Sequence, residues 1–272
     1  MANRLSDKPA AAYAAGYLGK LYEKAKRYPE AERLTRQAIF LTRQYEVPKV
    51  LSLPQSKPEQ SNRRYFLWKA GQGFVPDMLY LWQWQLGRLR NAQADLAGAI
   101  AAYQQAVNNL QSIGLARVRG YRIPPRQSFF NTAESVYYEL ADLLLQQAAR
   151  HTNEFQRQPV LLTARDTLEL FKAVELENYF QDDCVTKMQA KRQKIEDILT
   201  DAHTAVLYPM IFSDRVELLL SFSDGLKQFS VKKPQNLRKT VVDFRRALEK
   251  TKKPKYGKKA QSDFRRDVLP KA

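Results

Sequence analysis

Residues equipped for covalent chemistry are few in this sequence: one cysteine, Cys184, and two histidines, His151 and His203. A thiolate nucleophile needs a base that orients and deprotonates it. Cys184 instead follows Asp182 and Asp183, whose negative charges raise a thiol pKa. It also ends a helical stretch, where the helix dipole opposes a thiolate. Cys184 therefore reads as a packing or surface residue. His203 opens a strand-like run and reads as a turn or capping residue, while His151 stands in a polar break. A metal site needs three or four convergent ligands. The spacing offers none, so neither metal nor cofactor is expected. The adjacent acids Asp182 and Asp183 diverge on a helix and suit a solvated end, not a general acid and base. Gly71-Gln72-Gly73 lies in an irregular connector and marks a turn.

The chain is long enough, at 272 residues, to bury a sizeable core in one or two domains. No apolar run approaches membrane-spanning length, and MANRLSDKPAAAYAAGY lacks the apolar core of a secretory signal. A single cysteine forms no internal disulfide, so a cytoplasmic location and no membrane partner are expected. The formal charge of +17 is uneven: residues 226–272 carry sixteen Lys or Arg against four acids, a net of +12. A basic end invites nucleic acid or an acidic partner, or is simply a solvated helix face and a Lys-rich tail.

One stretch reads as β-sheet. In Val216, Leu218, Leu220 and Phe222 the apolar residues recur at every second position. Asp224-Gly225 suits a hairpin turn, Ala205–Phe212 is an apolar run of strand length, and Ser213-Asp214-Arg215 is short enough to join them. Leu226–Val231 then puts Phe229 and Val231 on one face and Gln228 and Ser230 on the other. The result is a three-stranded meander whose apolar face needs a cover. Asn236–Lys250, with Leu237, Val241, Phe244 and Leu248 at helical spacing, is the expected cover.

The rest is helical and carries a repeated pattern. Leu18-Gly19 is followed by Tyr22, by Ala31 twelve residues after the glycine and by Ala38 nineteen after it. Leu86-Gly87 is followed by Ala99 at twelve, Tyr103 at sixteen and Ala106 at nineteen. Small residues at these sites let two antiparallel helices approach closely. This pattern resembles the tetratricopeptide repeat. A degenerate third copy starts at Val136, with Leu140-Ala141 and Leu144. Its second helix is expected to resume at Ala164, Leu168 and Phe171, after a break over His151–Pro159. Pro48–Asp77 reads as a loop with a short helix around Arg63–Ala70, and Gly114–Gln127 as a connector. Val185–Leu199 reads as a polar helix with Met188, Ile195 and Leu199 as its apolar seam.

WQWQLGRL (82–89), DLAGAIAAYQQAV (95–107), YYELADLLLQQA (137–148), LELFKAVELENYFQDDC (168–184), HTAVLYPMIFSDRVELLLSFSDGLKQFSV (203–231) and VVDFRRALEK (241–250) follow one another in order. That order resembles the bacterial TPR–CHAT proteins, in which a caspase-like CHAT domain is fused to tetratricopeptide repeats. The resemblance covers about residues 10–261. It implies a mainly α fold: a TPR-like α-solenoid over residues 1–200, then over 201–254 a small α+β segment resembling the start of a CHAT domain. A basic tail over 255–272 completes the expected layout. CHAT domains resemble caspases and, by that resemblance, cleave peptides with a His–Cys pair lying well beyond their first strands. Here the pattern fades at Ala260-Gln261, and no residue matches either catalytic position. The chain reads as truncated before that pair.

Recognition is what remains. By the resemblance, TPR groove positions fall on Gly16 and Lys20, on Trp84 and Arg88, and on Tyr138 and Asp142. Asn91, one turn after Arg88, joins the same face. A Trp beside an Arg suits a peptide with an acidic and an apolar group; alternatively Trp84 packs between helices, as Trp82 is expected to do. The expected function is a non-catalytic protein-interaction scaffold that holds a protein or peptide in this groove. Two alternatives stand beside it: the front half of a caspase-like cysteine peptidase completed by another segment, and a nucleic-acid-binding protein using the basic C-terminal part. A sheet of three strands also has open edges, which call for a partner strand from another polypeptide or for poor solubility.

Overall fold

The computed structural model describes residues 8–44, 75–118, 126–180, 195, 199 and 204–250. The helix expected over Arg63–Ala70, the Gly71-Gln72-Gly73 turn, Cys184, Met188, His203 and residues 251–272 lie outside these. Among the described residues six helices come first: α1 (Lys8–Lys24), α2 (Tyr28–Gln44), α3 (Val75–Ala92), α4 (Leu96–Val118), α5 (Arg126–Arg150) and α6 (Glu154–Phe180). Strands β1 (Val206–Ile211), β2 (Arg215–Phe222) and β3 (Gly225–Lys232) follow, and then α7 (Leu237–Lys250). The chain is thus mainly helical, with a small antiparallel sheet and a helix after the helical array. α1 packs on α2, α3 on α4 and α5 on α6, while α2 meets α3 and α4 meets α5, so the hairpins stack in chain order.

The first two hairpins are built from the same parts. Lys26 (φ 57°) and Ala94 (φ 63°) both adopt the left-handed conformation that ends a helix. Arg27 N–H donates to the Tyr22 carbonyl at 2.9 Å, and Asp95 N–H donates to the Arg90 carbonyl at 2.9 Å. The next helix starts when Ala31 N–H donates to the Arg27 carbonyl, and Ala99 N–H to that of Asp95. Asp95 adds a side-chain cap, accepting from Gly98 N–H at 2.9 Å. Equivalent residues stand the same distance apart in sequence throughout: Gly19 and Gly87, Lys26 and Ala94, Ala31 and Ala99, Ala38 and Ala106. A Cβ on Gly87 would lie 2.4 Å from the Tyr103 ring, and one on Gly16 would lie 2.4 Å from Trp82. Helix contacts this close exclude any side chain at these two positions.

Several boundaries differ from the sequence reading. The expected break over His151–Pro159 shrinks to three residues, because Asn153 Oδ1 accepts from Phe155 N–H at 2.9 Å and caps α6 there. Pro159 lies inside α6, one turn after the exposed Phe155. α4 runs through Gly114 to Val118, and α3 begins at Val75. Ile195 and Leu199 of the expected seam do pack on the core or are buried.

The sheet has the order β1-β2-β3 with two-residue turns at Ser213-Asp214 and Ser223-Asp224. Gly225 (φ 138°) opens β3 in a conformation that favours glycine. The expected cover is corrected by the structure. α7 leaves Val241 51% and Phe244 39% exposed, and the sheet packs instead on α5 and α6. Tyr208, Met210, Leu219 and Leu226 enter one core cluster with Leu145, Leu161 and Leu168. The buried face of β2 is therefore Glu217-Leu219-Ser221, not the alternating apolar set. Val216, Leu218, Leu220 and Phe222 turn to the other face, where Val216 is buried and the other three stay half-buried. The core continues from the helical array into the sheet without a break.

Tyr137, at the centre of that core, packs on Phe171 with ring centroids 5.7 Å apart. Its hydroxyl is buried without a hydrogen-bond partner among the described residues, and burial pushes the phenol up to about 12 from 10.0. Two outcomes follow from these local features. Ala94→Gly should stabilise the chain by about 1 kcal/mol by relieving a left-handed alanine, read by urea denaturation; no gain would reject the repeated cap. Between pH 10 and 12 the unfolded chain loses the Tyr137 proton while the folded chain keeps it, so stability falls as pH rises. Tyr137→Phe should remove that part of the alkaline slope and raise neutral stability by about 1 kcal/mol; an unchanged slope in pH-resolved denaturation would refute it.

Candidate functional site

The first helix of each hairpin carries the residues assigned to a groove. α1 and α3 meet along a ladder: Gly16 against Trp82, Gly19 against Gln85, and Glu23 against Arg88. Gln85 Nε2 donates to the Gly16 carbonyl at 3.1 Å and to Thr35 Oγ1 at 2.7 Å, joining α1, α2 and α3. Gly16 is thus a packing position and not part of a groove. Trp82 is buried in the same contact, edge-on to Tyr13 and Tyr17.

Trp84 and Arg88 come together as expected. The Arg88 guanidinium lies 4.4 Å over the Trp84 ring, a cation–π contact. Neither is a free anchor. Trp84 Nε1 donates to Glu139 Oε2 of α5 at 2.8 Å, so this half-buried indole bridges helices. Arg88 donates to both carboxylate oxygens of Glu23, at 2.8 and 2.9 Å, the paired geometry a guanidinium favours. Burial alone would lower the Arg88 pKa, but the hydrogen bond and charge of Glu23 outweigh it and hold it above the ordinary value. Tyr103 also donates to Glu139 Oε2. Burial first, and then the charge of Glu139, raise the Tyr103 phenol far above its ordinary range.

Glu23 and Glu139 were missed by the sequence reading, which named Tyr103 only as a packing residue of the repeat. A family offset picks one position in each turn and passes over its neighbours, and Glu139 stands directly beside Tyr138. Tyr138 itself packs edge-on to Phe171 at 5.6 Å. Lys20 and Asn91 are exposed. Of the assigned residues they are the two that are exposed.

Asp142 belongs to a different place. Arg215, which opens β2, donates to Asp142 and, through Nε, to Glu217 Oε1 at 2.7 Å. Gln228 Nε2 donates to the other Glu217 oxygen at 3.1 Å. Arg165 Nη1 donates to Ser221 Oγ at 3.4 Å, and Gln158 pairs with the Leu226 backbone. These contacts clasp the sheet to α5 and α6. Burial lowers the Arg215 pKa, but its hydrogen bonds to Glu217 and Asp142 outweigh burial and raise it.

Among the described residues no group of three or more His, Cys, Asp or Glu side chains could hold a metal ion. No helix among them is long and apolar enough to cross a membrane. Comparison with known proteins finds no matching family model, no matching curated protein and no matching solved structure.

The clasp sets an order of costs. Arg215→Ala leaves the Glu217 carboxylate buried without its cation and should cost about 3–5 kcal/mol. Asp142→Ala leaves Arg215 paired with Glu217 and should cost about 1–2 kcal/mol. Equal losses in urea denaturation would show that Glu217 does not depend on Arg215.

Proposed function

We propose that this chain is a non-catalytic protein-interaction scaffold: a TPR-like array followed by a sheet and helix resembling the opening of a CHAT domain. The supporting observation is that α1, α3 and α5 are joined side by side through Glu23–Arg88 and Trp84–Glu139. This makes one continuous helical face with Lys20 and Asn91 exposed on it. Stacked helical hairpins present such faces to extended or helical peptides. On this reading Trp84 and Arg88 stiffen the face, and the exposed residues make the contact. The exposed cation at Lys20 favours a peptide carrying an acidic group.

A second reading rests on α7, where Arg238, Lys239, Arg245 and Arg246 are exposed beside the Lys-rich sequence that follows. Such a segment suits nucleic acid through its phosphates, and binding of that kind would weaken steeply with salt.

A photo-crosslinking amino acid placed at Lys20 or at Asn91 should capture a bound partner. The same group at Glu154, which begins α6 on a second helix, should not. Equal capture from Glu154, or a partner lost entirely at high salt and captured only from Arg238, would overturn the scaffold reading.

A further inference from the structure

The two edges of the sheet are not equivalent. Phe212 N–H donates to the Arg215 carbonyl at 2.9 Å across the first turn. In an antiparallel pair the main-chain groups alternate in direction. Met210, Tyr208 and Val206 therefore also turn theirs toward β2, and Leu207, Pro209 and Ile211 turn theirs to the open side. Pro209 thus places its missing N–H on the free edge, with its ring where the carbonyl of a neighbouring strand would accept. The β1 edge is closed to strand addition at its middle.

On β3 the pair Phe222 and Gly225 closes the second turn. Lys227, Phe229 and Val231 face β2, and Leu226, Gln228, Ser230 and Lys232 present their main chain outward. Leu226 is already occupied. Its N–H donates to Gln158 Oε1 at 2.9 Å, and its carbonyl accepts from Gln158 Nε2 at 2.8 Å. One side-chain amide thereby makes the two bonds that a neighbouring strand would make. Beyond it, no hydrogen bond among the described residues engages the outward groups of Gln228 or Ser230.

We propose that the β3 edge from Gln228 to Lys232 is a strand-addition site for an extended acidic segment of another polypeptide. Main-chain hydrogen bonding would supply the affinity and alternate side chains the selectivity. On one face the incoming strand would lie beside Phe229, which is exposed, and Val231. On the other it would lie beside Ser230 and Lys232, both exposed. Apolar residues therefore suit the first face and carboxylates the second. Lys227, exposed on the first face at the end of this edge, adds a longer-range attraction for an acidic strand. A second copy of the chain is disfavoured, because pairing two β3 edges would gather the exposed Lys227 and Lys232 of both copies along one seam. This site is independent of the helical face described above.

The test uses the full chain and a fluorescein-labelled peptide of alternating Val and Glu, with a Val–Lys peptide as control, read by anisotropy. The Val–Glu peptide should bind and the Val–Lys peptide should not. Ser230→Pro removes only an outward donor, as Pro209 does on the opposite edge, and should weaken binding about tenfold or more, whereas Ser230→Ala should not. Lys227→Glu combined with Lys232→Glu leaves the backbone untouched and should reverse the preference between the peptides, which keeps the test decisive if Ser230→Pro fails to fold. No binding of the Val–Glu peptide, or binding indifferent to the double charge reversal, would overturn the proposal. A concentration-dependent dimer lost in Ser230→Pro would overturn the assigned occupant in favour of a second copy.

Discussion

A carboxylate at 2% exposure, that of Glu217, determines how the sheet meets the helices. A buried charge is tolerated only when paired and hydrogen-bonded. Arg215 and Gln228 supply those partners from β2 itself and from β3. Arg215 then reaches Asp142 on α5, so the side chain that neutralises Glu217 also fastens the sheet to the array. Leu219, Tyr208, Met210 and Leu226 fill the space around this polar pair with apolar contact. Because one face of β2 is committed in this way, the strand period sends Leu218, Leu220 and Phe222 to the other side. Phe229 on β3 and Leu207 and Ile211 on β1 join them there and remain exposed.

The helical array depends on a different economy, that of small residues. Gly16 under Trp82 and Gly87 under Tyr103 allow backbones to approach closely enough for large rings to fill the contact. The approach also brings polar side chains within reach across helices: Gln85 to Gly16 and Thr35, Arg88 to Glu23, Trp84 to Glu139. A face assembled from such cross-links is rigid where its residues are paired and available where they are not. Lys20 and Asn91 are exposed on these helices.

The legibility of these features in the sequence varied with how local their causes are. The hairpins of α1–α2 and α3–α4 were readable because their small residues recur at the same offsets and because the contact is between consecutive helices. The strands were readable from alternation, although Arg215 proved to open β2 instead of ending the turn. The helix over Leu237–Lys250 was readable from its amphipathic spacing. Of the groove residues, the pairing of Trp84 with Arg88 was foreseen. Their acidic partners were not, since Glu23 and Glu139 come from helices distant in the chain. Asp142 was assigned by offset to a groove, and its pairing with a residue more than seventy positions later has no local signature.

What the sequence by itself determined is the order, type and approximate extent of the elements, together with the charge at the basic end, because periodicity, turn residues and composition act over neighbouring residues. Which face of the sheet is buried, and which helices bury it, was decided only in three dimensions. Alternation in β2 favours the face of Val216, Leu218, Leu220 and Phe222, yet the face of Glu217, Leu219 and Ser221 is the one that packs on the helices. The choice falls to the side that can bury Leu219 with Tyr208, Met210 and Leu226 while still pairing Glu217. That is a condition on several distant segments at once, and no single stretch of the chain contains it.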